Sequence, residues 1–257
     1  MKSTLPLITS LAASASATGV LLPLYIYPSD TIWAPVYNAV SADSSLDWLV
    51  VVNPDSGPGA TGQPGNNDAS YIAGTSKLNG YSNVKTVGYV RTNYGQQDVN
   101  TLHTELTEWA NWASYTASDI AVHGIFFDEA PTDNFDYMND AITFARNAFA
   151  DAITTICNFG TEADVEFYGI CDVVVAAEYS GSQYGDGSST ISGNIPSGYA
   201  AQAAIIVHDF TADASTLASD LSAIQSAGVG WTYFTSSSDY TSITVTPATV
   251  EAVAADL

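Results

Sequence analysis

Three carboxylates in this chain stand where a proton could change hands. Asp128 and Glu129 close the run Ala121–Pro131 (AVHGIFFDEAP), and Glu178 nearly closes Asp172–Tyr179 (DVVVAAEY). Two carboxyl groups facing each other across a cleft, one ionised and one protonated, are what glycosidic cleavage requires. Polar and aromatic residues end the other apolar runs in the same way: Tyr25, Tyr27, Asn53, Asp55, Tyr89, Tyr94, Asn158, His208 and Tyr233. Aromatic rings of this kind offer flat apolar faces for pyranose rings, with a polar handle attached. These nine are the expected substrate-binding residues, and Asp128, Glu129 and Glu178 the expected catalytic ones. Successive strand residues point to opposite faces, so Asp128 and Glu129 cannot both enter the cleft from a regular strand. Asp128 is expected as the nucleophile or charge stabiliser, kept ionised by Asn158. Glu178, beside Tyr179, is expected to be raised by desolvation and to act as general acid. Glu129 would orient Asp128 or bind a sugar hydroxyl, and the optimum would be acidic.

Other chemistries find less support. His103, His123 and His208 are dispersed, so no metal site is expected. His103 reads as a helix-surface residue and His123 as a core one. No G-x-S-x-G elbow is present, and no G-x-G-x-x-G follows the first strand. No cofactor is expected.

Eight apolar, β-branched or aromatic runs must position these groups: Gly19–Tyr27, Leu46–Asn53, Val84–Arg91, Ala121–Asp128, Ala152–Phe159, Asp172–Tyr179, Ala203–Phe210 and Gly228–Thr235. Helical signals fall between them at Thr31–Val40, Val99–Ala113, Phe135–Ala150, Thr161–Tyr168 and Thr211–Ala227. A last helix is expected to open at Thr246-Pro247. Strands alternating with helices predict an α/β fold, a single (β/α)8 TIM barrel, whose strand ends share one face. The Gly- and Pro-rich stretch Asn53–Asp68 becomes the second βα loop, expected as a mobile groove wall or lid. Cys157 and Cys171 are the only cysteines, and whether they pair is left open, since their heights along the barrel need not match.

Residues 1–17 read as a signal peptide: Lys2, the apolar Leu5–Ala13, then Ala15-Ser16-Ala17 as cleavage site, leaving 18–257 as the barrel. The 257 residues carry 27 acidic against 5 basic groups, a formal net charge of −22. That balance excludes nucleic acid as a partner and disfavours an anionic membrane surface. No stretch after the signal peptide is apolar enough to span a bilayer. A monomer at the cell surface or outside the cell is expected, with polysaccharide as its partner.

GVLLPLYIYP, VVVNPDSGPG, TVGYVRTNYG, GIFFDEAP, VVVAAEYS, AAIIVHDF and GVGWTYFTS, in this order, closely resemble the spherulin-4, or spherulation-specific, family. The resemblance spans nearly all of the chain after residue 17 and touches seven of the eight strands. It implies a secreted TIM-barrel glycoside hydrolase acting within an α-1,4-linked N-acetylgalactosamine polymer such as galactosaminogalactan. It places the family's acidic motif on Asp128 and Glu129 and its later glutamate on Glu178. The fifth strand departs from the pattern, with Asn158-Phe159-Gly160 where Asn-Pro-Gly is expected. The alternative is a wall or spore-coat protein that binds glycan on the same face without cutting it.

Overall fold

The computed structural model describes residues 17–257, so the expected signal peptide lies almost wholly outside the described residues. Eight parallel strands, β1 (Gly19–Leu24), β2 (Trp48–Val52), β3 (Val84–Arg91), β4 (Gly124–Asp128), β5 (Thr154–Asn158), β6 (Val173–Ser180), β7 (Ala203–His208) and β8 (Trp231–Phe234), close into a barrel in chain order. Closure is made where Val20 of β1 pairs with Thr232 of β8. A strand buried on both faces needs apolar residues at every position, which is why these runs lack simple alternation. Leu21, Leu49, Val51, Val87, Phe126, Ile156, Val173, Val175, Ala204 and Ile206 form one apolar cluster, filling the barrel. Their chain neighbours, such as Val20, Val50, Phe127, Cys157 and Val174, pack against the helices instead.

Helices α1 (Ala34–Ala42), α2 (Ala69–Asn79), α3 (Val99–Asn111), α4 (Phe135–Ala148), α5 (Gly181–Tyr184), α6 (Ser188–Asn194), α7 (Ala214–Ser226) and α8 (Val250–Ala255) occupy the connections. Short polar side chains start several of them. Asp68, Asp98, Asn134, Asp213 and Thr249 each accept from backbone N–H groups of the first turn, satisfying donors a helix cannot satisfy itself.

Several boundaries differ from expectation. Helix α1 starts only at Ala34, because Ser29 closes a preceding turn with its carbonyl on the Trp33 N–H. Helix α8 starts at Val250 under a Thr249 cap, leaving Pro247 outside it. The stretch after β5 makes only a 3-10 turn at Val165–Gly169. Helix α2 is too polar to advertise a stripe, yet Tyr71, Gly74, Thr75 and Leu78 are buried at helical spacing. A Cβ on Gly74 would run into the ring of Trp33, so this helix docks through a small residue.

Cys157 and Cys171 are joined, with Cα atoms 6.0 Å apart. The 3-10 turn brings Cys171 back alongside β5, which removes the mismatch in height. The loop 53–68 is packed and not a free lid. Gly65 is buried at φ +64, and a Cβ there would strike Ile72. Asn66 accepts the Thr61 N–H at 3.2 Å, while Asp68 accepts the Tyr27 hydroxyl at 2.9 Å.

Candidate active site

Strand parity aims the first carboxylate. Phe126 lies in the barrel filling and Phe127 in the outer shell, so Asp128 returns to the interior at the top of β4. Asn158 ends β5, the neighbouring strand. Glu178 would point outward if β6 were regular, since Val173 and Val175 face in. The register with β7 slips between Val175 and Ala177, and Ala176 and Ala177 both join the outer shell. This bulge changes the parity and delivers Glu178 to the interior.

The two carboxylates meet over one amide. The Asn158 Nδ2 donates to Asp128 Oδ1 at 2.8 Å and to Glu178 Oε2 at 2.6 Å. Their accepting oxygens therefore lie no farther apart than those two bonds laid end to end. The Tyr89 hydroxyl donates to Asp128 Oδ2 at 2.7 Å, and the Tyr240 hydroxyl to Glu178 Oε1 at 2.6 Å. Burial pushes the Asp128 carboxyl up to about 6; the Tyr89 and Asn158 bonds pull it down, and the Glu178 charge adds to the rise. Asp128, expected to stay ionised beside Asn158, is thus raised where it sits at the top of the apolar filling above Phe126. Tyr25, whose ring meets Tyr89 and Tyr240 edge to face at 5.6 and 5.8 Å, is held well above its ordinary range by burial and by both carboxylates.

Glu129 takes another path. Its φ of +53 turns the chain out of the strand, and its side chain accepts from Arg91 at 2.7 and 3.1 Å. Its side chain makes no hydrogen bond to Asp128, whereas its backbone N–H donates to that carboxyl and helps to pull it down. Thr92 braces the corner, donating through its hydroxyl to the carbonyls of Asp128 and Glu129 at 2.9 and 2.6 Å.

Of the nine expected binding residues, Tyr25, Tyr89 and Asn158 join the carboxylate cluster. Tyr27 and Tyr94 stand at the rim with 52% and 62% of their surface exposed, Tyr27 with its hydroxyl held by Asp68. His208 reaches Asp209 through Nδ1 at 2.9 Å and meets the Tyr240 ring edge at 6.3 Å. Asn53 is spent on the loop, accepting the Gly57 N–H at 3.0 Å through its side chain. Asp55 lines a separate cavity of about 260 Å³ with Glu105 and Glu108 of α3. Tyr233 is 1% exposed and closed off from the rim. His123 is exposed, not a core residue, because β4 begins one residue later.

Tyr240 was missed. It sits in the loop after β8 at φ +59, among serines and threonines, where no strand end marks it. Among the described residues no group of three or more His, Cys, Asp or Glu is arranged to hold a metal ion. No described helix is long and apolar enough to cross a membrane.

The sequence matches the model of spherulation-specific family 4 over residues 19–253. It is 30% identical to Spherulin-4 of Physarum polycephalum over 173 residues, 66% of this chain and 48% of that protein, so the match spans about half of that relative's length. The fold is similar to that of Aspergillus clavatus Sph3 in its complex with GalNAc, with a TM-score of 0.79 and 25% identity over 93% of this chain and 98% of the other. A chitinase of Rhizomucor miehei shares the barrel at a TM-score of 0.58 over 94% of this chain and 100% of its own, but only 9% identity, a likeness of fold alone.

Proposed function

The chain belongs to spherulation-specific family 4, and from that premise we propose that it is a secreted glycoside hydrolase cutting within an amino-sugar polysaccharide, with Asp128 and Glu178 as the working pair. The observation that carries the proposal is the single amide shared by two carboxylates at the barrel mouth, with one tyrosine hydroxyl on each. Carboxyl groups about 5 to 5.5 Å apart suit cleavage with retention, whereas inversion needs roughly 6.5 to 9.5 Å to admit a water between them. Oxygens bridged by one amide belong to the shorter class.

The donors distinguish the two roles. Those on Asp128 come from barrel strands, Tyr89 of β3 and Asn158 of β5, and fix it in place as an acceptor. One donor on Glu178, Tyr240, comes from a loop and can yield that oxygen to a leaving group. In this reading Asp128 attacks the anomeric carbon and forms a glycosyl ester while Glu178 gives its proton to the departing oxygen. Glu178 then takes a proton from water, whose oxygen displaces Asp128 and releases the sugar. Exposed Tyr27 and Tyr94 offer stacking faces for sugars beyond the cleavage point. The GalNAc bound to the similar Aspergillus protein supports N-acetylgalactosamine as the sugar unit recognised; the α-1,4 linkage is part of the proposal. The disulfide fits an oxidising compartment outside the cell.

Incubation with galactosaminogalactan should release oligosaccharides, separable by chromatography. Asp128→Asn and Glu178→Gln should each lower turnover by orders of magnitude without unfolding the protein. With azide and an activated glycoside, the Asp128 variant should give the inverted glycosyl azide and the Glu178 variant the retained one. Glycan binding without any release would overturn the hydrolase in favour of a wall or coat protein.

A further inference from the structure

We infer that Asn158 is a positioning residue: it holds Asp128 and Glu178 at fixed spacing by donating one N–H to each and does not itself touch the sugar. The inference rests on reading those two carboxylates as the catalytic pair. A primary amide has two N–H donors, and Asn158 commits one to each carboxylate, at 2.8 and 2.6 Å. The residue is 5% exposed, so no donor remains for a ligand. Tyr89 and Tyr240 each donate to one carboxylate only.

The other end of the amide fixes its orientation. Asn158 Oδ1 is buried and meets no hydrogen-bond donor. Leaving a buried acceptor unmatched is unfavourable, yet turning the amide over would lose both donated bonds and set its oxygen against two carboxylate oxygens. The orphaned oxygen is thus the consequence of serving both carboxylates at once. The backbone holds the amide in register: the Asn158 carbonyl accepts the Ala130 N–H at 2.8 Å, and Cys157, the residue before it, is tied to Cys171. The titratable groups facing the pair are Tyr25 from the end of β1, Tyr89 from β3 and Tyr240 from the last loop, with the Arg91–Glu129 ion pair at the rim. Among the described residues, only Asn158 donates to both acids.

Asn158→Leu keeps the shape and removes both donors. It should lower kcat by roughly a hundredfold, the scale of a small misplacement of reacting groups, with KM within about twofold. Its acid limb should also move to higher pH, because ionised Asp128 loses a donor. An unchanged kcat would show mere space filling, and a raised KM with an unmoved pH profile would show sugar binding; either overturns the inference. A second readout needs neither substrate nor variant. In the wild-type protein the side-chain amide protons of Asn158, followed by NMR, should shift together with the carboxyl titration. An amide signal flat between about pH 4 and 8 would overturn the inference. A titrating amide in a protein that releases no sugar would uphold it and bring down only the hydrolase reading.

Discussion

Asp128 shows how a single residue trades stability for chemistry. Its carboxyl is raised to about 6 by burial, while in the unfolded chain it would ionise near 4. Between those values the folded protein holds more protons than the unfolded one, so the contribution of Asp128 to stability falls as pH rises through that window. Asp128→Asn cannot ionise. Thermal or denaturant unfolding should find that variant more stable than wild type at pH 7, by on the order of 2 kcal/mol, with the difference shrinking below about pH 4. A variant less stable than wild type at neutral pH would contradict this account. The same ionisation sets the acid limb of activity: a nucleophile must be charged, so turnover should rise as pH climbs through about 6. That moves the limb upward from the acidic optimum the residues alone suggested.

At the scale of elements, two departures from regularity place the site. The bulge at Ala176 in β6 turns Glu178 inward, and the left-handed corner at Glu129 turns that side chain out toward Arg91. The loop 53–68 is an element of the same kind, irregular but built. Gly65 needs its positive φ and its lack of a Cβ, because Ile72 and Ile120 close over it. Gly65→Ala should therefore lower stability by about 1 to 3 kcal/mol, seen as a fall in Tm. An unchanged Tm would restore the picture of a free lid.

Over the whole molecule, the charge of −22 is the dominant long-range feature. The one basic side chain in the site, Arg91, is already paired with Glu129, so the rim presents no free cation from it. A partly deacetylated aminosugar polymer is cationic, and a field of this sign would raise its encounter rate. Turnover of such a polymer at low concentration should fall as salt rises from about 20 to 200 mM, as screening shortens the field. Turnover of short, fully acetylated oligosaccharides should stay level over the same range. Equal salt dependence for both would show that the charge does not steer substrate.

Much of this was present in the sequence. Eight apolar runs without simple alternation, with helical signals between them, specify strands buried on both faces and hence a closed parallel barrel. Polar residues confined to the ends of those runs mark one face, which is where Asp128, Tyr89 and Asn158 stand. These are local properties, readable because burial acts residue by residue along the chain. Parity after an irregularity is different. Nothing in VVVAAEYS says that Ala176 is extra, so Glu178 reads as a strand residue of uncertain face until β7 is paired beside it. Tyr240 carries no local signal at all, since it reaches Glu178 from 62 residues away. Asn53 and Tyr233 carried the signal of a strand end and were taken by the loop and by burial. The Asp128 pKa likewise depends on what the barrel stacks beneath it. Sequence determined which residues gather at the mouth; only packing across the closed sheet decided which of them face each other, and through which shared amide.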